Sequence, residues 1–173
     1  MTFPKPDAQS LCAFYGQPWK ITSNGVEWDE HFEAAHIMRI PAPYDMWMGD
    51  AKITKIAVNK NCAVSLLACL EQIAKKTNAK ERKEFQIDQF GGGFNMRPIR
   101  GITGALTVNK VSLHAYGAAI DLAPALNPLG LFYNPAKGMM PHEVIEIFKN
   151  EGWTWGGDFN ARPDCMHFQA TFL

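Results

Sequence analysis

Apolar and polar positions follow two different periods along this chain, and each change of period marks an element. Between residues 61 and 76 the side chains of Ala63, Val64, Leu66, Leu67, Leu70, Ile73 and Ala74 recur at helical spacing, and Lys75, Lys76 and Lys80 suit a helix C-terminus. A shorter helix is predicted over 143–149, with Pro141 at a first-turn position and Gly152 closing it. Two stretches alternate with the period of a strand. In 117–122, Ala118, Ile120 and Leu122 face one way while Ala119 and Asp121 face the other. In 166–172, Met166, Phe168, Ala170 and Phe172 form an apolar face that leaves His167, Gln169 and Thr171 opposite. Asp121 and His167 can therefore share one face of a sheet.

The remaining segments show no such period. The first fifty residues are rich in Pro and aromatic side chains, with a turn signal at Asn24-Gly25, and read as an irregular N-terminal wrap. A charged run, Lys80-Glu81-Arg82-Lys83-Glu84, leads to Gly91-Gly92-Gly93, where glycines permit a tight bend or a close backbone approach. That run lacks the Gly-Lys-Ser/Thr ending of a phosphate loop and the strand-helix setting of a dinucleotide site, so phosphate binding is set aside. Residues 127–138 read as a loop. Strands mixed with two helices predict an α+β fold, an antiparallel sheet with packed helices, and 173 residues suit one domain spanning 1–173.

Composition narrows the partners. Seventeen basic and seventeen acidic residues cancel, so the chain as a whole carries no electrostatic footprint for nucleic acid or an anionic membrane. Cys12, Cys62, Cys69 and Cys165 contain no CxxC pair and are expected as reduced, structural thiols. No window approaches the roughly 18 uninterrupted apolar residues of a membrane span, so no membrane insertion is expected. The first residues lack the apolar stretch of a signal peptide. A monomer is expected.

The candidate chemistry lies in two separated stretches. His114, Asp121 and His167 are two imidazoles and a carboxylate, a sufficient protein ligand set for a catalytic zinc ion, with a fourth position left for water. Six residues separate His114 from Asp121, too many for one helical face but suited to a loop that delivers one ligand and then enters the strand carrying the next. Gly117 allows the turn between them. Asp164, three residues before His167, stands where a general base is needed. Each residue alone has an ordinary alternative: a hydrogen-bonded strand histidine, or an aspartate that caps a turn or pairs with an arginine. The combination points to a metallopeptidase.

The pattern SxHxxGxAxD over Ser112 to Asp121, followed by Asp164-Cys165-Met166-His167-Phe168, resembles the zinc peptidases that cleave bacterial cell-wall peptides. These are the VanY-type D-alanyl-D-alanine carboxypeptidases and the L-alanyl-D-glutamate endopeptidases, related in core fold to the hedgehog signalling domain and including many bacteriophage endolysins. The resemblance extends from about Gly93 to Phe168, and more loosely to Tyr15-Gly16-Gln17-Pro18. It implies a hedgehog/DD-peptidase-like fold, His114, Asp121 and His167 as ligands of Zn2+, and Asp164 as the base. An aspartate there, in place of glutamate, favours the endopeptidase-like branch. The resemblance also implies an upstream arginine that polarises the scissile carbonyl. Asn95-Met96-Arg97 fits best, and Arg100 competes for that role or for orienting a substrate carboxylate. The implied partner is the peptidoglycan stem peptide. Its cleavage from the cytoplasm of a bacterial host would need a membrane breach, or a virion that carries the protein.

Other signals carry less. His31 and His36 stand five apart, which turns them about 140° from each other on a helix, unlike the four-residue spacing of a zinc helix. His142 reads as an exposed first-turn residue, Cys165 as a small buried hydrophobe, and Ser112 as a turn residue. Trp153-Thr154-Trp155-Gly156-Gly157 reads as core plus a glycine turn, with aromatic contact to glycan as the alternative. Three activities stay open: stem-peptide endopeptidase, D-alanyl-D-alanine carboxypeptidase, and a non-catalytic zinc-stabilised binding or virion structural module.

Overall fold

Two short strands flank the two that carry Asp121 and His167 in a four-stranded sheet, and the rest of the chain packs against or wraps this sheet. The computed structural model describes residues 2–172. In chain order the elements are α1 (Ala8–Tyr15), a hairpin of β1 (Trp19–Thr22) and β2 (Gly25–Trp28), α2 (Phe32–His36), a hairpin of β3 (Ile37–Met48) and β4 (Ala51–Asn59), then α3 (Ala63–Lys76) and α4 (Ala79–Glu84). There follow β5 (Phe90–Gly92), β6 (Ala119–Leu122), α5 (His142–Asn150), β7 (Thr154–Trp155) and β8 (His167–Gln169). The last sheet runs β5-β6-β8-β7, every neighbouring pair antiparallel. The architecture is α+β, as the sequence pattern predicts.

The expected irregular wrap over residues 1–50 is corrected by the structure: it contains α1, the β1–β2 hairpin, α2 and the whole of β3. Pro41 and Pro43 conceal β3 because a proline cannot donate to a strand ladder. The register of β3 against β4 shifts between Pro41 and Met46, so the prolines are taken up in the irregularity and pairing resumes beyond it. Asn24 does lie in a hairpin turn, one residue earlier than the Asn24-Gly25 signal, since Thr22 pairs with Gly25.

α3 follows its prediction closely. Leu66, Cys69, Leu70 and Ile73 form its buried stripe, and Thr77 ends it by accepting the position where its hydroxyl donates to the Ile73 carbonyl at 2.6 Å. α4 is a helix the charged run did not announce. Asn78 and Glu81 form a reciprocal capping box that satisfies the first N–H groups, a local device invisible to hydrophobic periodicity. In α5, Pro141 occupies the N-cap and not the first turn, and Val144, Ile145, Ile147 and Phe148 face inward. Phe148 stacks on Phe168 of β8 with centroids 4.0 Å apart, which couples this helix to the strand that carries His167.

β8 is shorter than the alternation suggests. Phe168 and Ala170 are buried as expected, but Phe172 is exposed and Thr171 is wholly buried. The chain turns at this point, with the Thr171 N–H donating to the Gln169 carbonyl, and the period of two ends there. One contiguous apolar core extends from Phe3 to Ala170.

Gly117 joins the core to the site. Its φ is +68°, and a Cβ there would meet Ile37 Cδ1 at 2.5 Å and the Asn59 nitrogen at 2.8 Å. Asn59 also donates through Nδ2 to the carbonyls of Tyr15 and Tyr116, both at 2.9 Å, and so ties α1 to this turn. Gly117→Ala is expected to destabilise the protein by about 2 kcal/mol or more through strain and overpacking. Phe148→Ala is expected to cost about 3–5 kcal/mol through the cavity it leaves. Urea denaturation of each variant measures both.

Candidate metal centre

Antiparallel pairing places Asp121 of β6 directly opposite His167 of β8. Cross-strand partners project to the same face, so the two side chains meet: Asp121 Oδ1 lies 2.9 Å from His167 Nδ1. His114 comes from the turn before β6, where the Ser112 hydroxyl accepts its N–H at 3.3 Å and Gly117 N–H donates back to its carbonyl. Ser112 thus has the turn role read from the sequence. His114 Nε2 approaches Asp121 Oδ1 to 3.2 Å. One potential ligand atom from each of the three residues lies within 4.8 Å of the others, and all three residues are buried.

The outer ring nitrogens settle how such a group could be used. His114 Nδ1 is 2.7 Å from the Gly93 carbonyl, to which it must donate, leaving the lone pair of Nε2 facing Asp121 and His167. That Nε2 is buried with no hydrogen-bond partner. His167 is held in the opposite sense: Nε2 donates to Gln169 Oε1 at 3.2 Å, which leaves Nδ1 as the inward atom. Gln169 in turn donates to Thr171 Oγ1 at 2.7 Å. The inward nitrogens of two imidazoles and a carboxylate oxygen thus converge in a buried group, with both rings held from behind, as metal-binding histidines commonly are. An unpartnered buried nitrogen costs free energy that a divalent cation would recover. The donor set fits zinc, with room for a fourth ligand.

Electrostatics agree with the geometry. Burial opposes a charge on Asp121, but the flanking imidazoles of His114 and His167 outweigh it and hold the carboxyl well below its ordinary range. Burial also opposes charge on His167, and the bond to Asp121, with the charges of Asp121 and Asp164, raises its pKa above the ordinary value.

A cleft of about 260 Å³ opens onto this group and is lined also by Arg97, Arg100, Leu129, Phe159, Arg162 and Asp164. Asp164 reaches it from the irregular segment before β8. Its backbone N–H donates to the Gly156 carbonyl at 2.9 Å, and a Cβ on Gly156 would lie 2.4 Å from the Asp164 carbonyl oxygen, so only glycine lets the two segments approach. Asp164 Oδ1 is buried without a partner, and burial raises its carboxyl above the ordinary range. Arg97 is half-buried at the cleft, whereas Arg100 is exposed.

The glycine run has a use the sequence left open. A Cβ on Gly91 would lie 2.9 Å from Asp121 Cβ, and the Gly93 carbonyl is the one that orients His114. Gly93, Gln169, Thr171 and Arg162 are the site residues that sequence reasoning did not assign. Gln169 and Thr171 were legible in part, because their spacing from His167 puts them on its face of the strand. The discounted residues stay apart from the site. His31 is exposed beside Glu30, and His36 stacks on Phe32. His142 lies near Glu146 on an exposed helical turn. Cys165 is buried, and burial pushes its thiol up to about 11, so it is no nucleophile at neutral pH. Trp153 and Trp155 are core residues.

Residues 107–170 match the family described as D-alanyl-D-alanine carboxypeptidase. The match covers His114, Asp121, Asp164 and His167 and begins after Arg97 and Arg100. No curated protein and no solved structure shows a significant match. The buried His-Asp-His group therefore lies wholly inside the segment that is similar to this peptidase family.

Gln169→Leu is expected to leave the fold intact and to weaken zinc binding by about 10- to 100-fold, measured by competition with a chromophoric chelator. In the metal-free protein the two shifted groups give opposite pH slopes. Asp121 contributes stability that is present above its ordinary pKa of 3.8 and lost as pH falls through its lower folded value. His167 contributes stability that is present below 6.5 and lost as pH rises through its higher folded value. Denaturation midpoints of metal-free protein across pH 3–9 should thus show this contribution in full between those two values, and Asp121→Asn should flatten both slopes.

Proposed function

We propose that this protein is a zinc-dependent peptidase that hydrolyses an amide bond of the peptidoglycan stem peptide, most specifically the L-alanyl-D-glutamate bond. The reading rests on one observation: two oriented imidazoles and a carboxylate converge beside a second, unpartnered carboxylate in the same cleft. A purely structural site has no use for Asp164. The similarity of residues 107–170 to cell-wall carboxypeptidases supplies the substrate class.

His114 through Nε2, His167 through Nδ1 and Asp121 would hold the metal, which supplies Lewis acidity that lowers the pKa of water to about 7. Asp164 takes the proton from the attacking water and later passes it to the leaving amine. Its partial burial suits this, since a carboxyl raised from its ordinary value both accepts and returns a proton more readily near neutral pH. Arg97 faces the developing oxyanion. Burial and the nearby Arg100 lower its pKa, yet a guanidinium stays charged throughout the working range. Such a positioned donor contributes on the order of 3 kcal/mol, about a hundredfold in rate. No covalent enzyme intermediate is required.

A second reading, D-alanyl-D-alanine carboxypeptidase, keeps the same residues and changes the bond; the description of the matching family favours it. Digestion of purified sacculi by zinc-loaded protein, with mass spectrometry of the products, separates the two. New L-alanine C-termini are expected, release of free D-alanine would favour the second reading, and an absence of amide cleavage would overturn both. Asp164→Asn should keep about one zinc per chain by elemental analysis while turnover falls by about a hundredfold or more. Unchanged turnover would remove Asp164 from the mechanism, whereas a wild type without turnover would leave a binding or structural module as the better account.

A further inference from the structure

Three guanidinium groups, of Arg97, Arg100 and Arg162, line one cleft, and none forms an ion pair with a carboxylate among the described residues. Arg97 is spoken for by its half-buried place beside the metal centre. The other two form a unit at the mouth. Arg162 Nη1 donates to the Arg100 carbonyl oxygen at 2.9 Å, and the guanidinium lies over Gly101, where a Cβ would come within 3.1 Å of that nitrogen. Gly101 has φ +83°, so the turn that brings Arg100 back to Arg162 depends on glycine twice, for its conformation and for the space. This contact uses one of the five N–H donors of Arg162 and leaves the rest of its fork, with all of the Arg100 guanidinium, for another group. Two like charges are gathered here, and neither lies within ion-pair distance of a carboxylate among the described residues. Their complement is an anion, and the planar fork matches a carboxylate.

The position of the pair says which carboxylate. Arg162 precedes Asp164 by two residues in the same segment, and the Arg100 charge acts on the Asp164 carboxyl. Asp164 is the group that returns a proton to the leaving amine, so the pair flanks the leaving-group side of the cleft. Both candidate bonds share one chemical feature there. In a γ-linked D-glutamate and in a terminal D-alanine alike, the carbon that bears the leaving nitrogen also bears a free carboxylate. We propose that Arg100 and Arg162 form a subsite that binds this α-carboxylate, and so select substrates in which it is neither amidated nor extended. The inference rests on the peptidase reading and narrows its substrate.

The test uses ketomethylene isosteres, in which the scissile N–H is replaced by CH2 so that zinc-loaded protein binds without cleaving them. One pair carries the γ-linked D-glutamate unit with its α-carboxylate free or as the carboxamide, and a second pair carries the D-alanyl-D-alanine unit with its terminal carboxylate free or amidated. Calorimetric titration of wild type is expected to show a preference of about tenfold or more for the free carboxylate in at least one pair, and that pair names the source. Arg100→Gln and Arg162→Gln should each bring the two forms to within about threefold, with thermal melts unchanged. Arg162→Lys should recover only part of the preference, because an ammonium keeps the charge but not the fork. A wild type indifferent to amidation, or an undiminished preference in both glutamine variants, would overturn the subsite. Failure of sacculus cleavage alongside a retained, arginine-dependent preference would count against the peptidase reading alone.

Discussion

The antiparallel pairing of β6 with β8 is the constraint on which the rest of the site depends. It sets Asp121 against His167 with 2.9 Å between carboxylate and imidazole, and a slip of one strand by one residue would put the two on opposite faces. Register is secured by what lies on that other face. Ile120 and Phe168, paired across the same two strands, are wholly buried, and Phe168 stacks on Phe148 of α5. The hydrophobic side of the sheet thus fixes the geometry of its polar side. A charged cluster of this kind could not hold itself together, because its desolvation cost must be met by packing elsewhere.

Around that pair, close approach of backbone does most of the positioning. The Gly93 carbonyl sets the tautomer of His114, Gly91 lies flat against Asp121, and Gly156 admits the Asp164 segment. Each needs a missing side chain more than an unusual dihedral. Gly117 needs both, and through Asn59 it links the His114 turn to α1 and to the β3–β4 hairpin. The N-terminal third is therefore a support for the turn that carries His114.

The cleft divides its charges by depth. At the bottom, Asp121 lies against the two imidazoles, and Asp164 stands unpaired beside them. At the mouth, Arg100 and Arg162 remain open to solvent and to whatever enters. A substrate peptide that carries a carboxylate beside its scissile amide would meet both zones in the order in which the chemistry uses them.

Local pattern alone determined a good part of this protein: α3 and α5 from their periods, Asp121 and His167 on one sheet face from alternation, and the identity of the residues that could gather a metal. Periodicity reports which side chains must leave water, and that demand is written residue by residue. It failed where a local hydrogen bond or a long-range contact took over. Prolines masked β3 because pairing beyond them supplied what they could not donate, and a capping box made α4 from a run with no apolar stripe. The alternation of β8 ended when Thr171 found a buried partner in Thr154, whose hydroxyl donates to its carbonyl at 2.6 Å. Only the tertiary structure decided which ring nitrogen of each histidine faces inward, since that depends on a carbonyl 21 residues before His114 and on Gln169 behind His167. The Arg100–Arg162 pair is likewise a contact between residues 62 apart in sequence, and no spacing within either segment encodes a distance across the cleft.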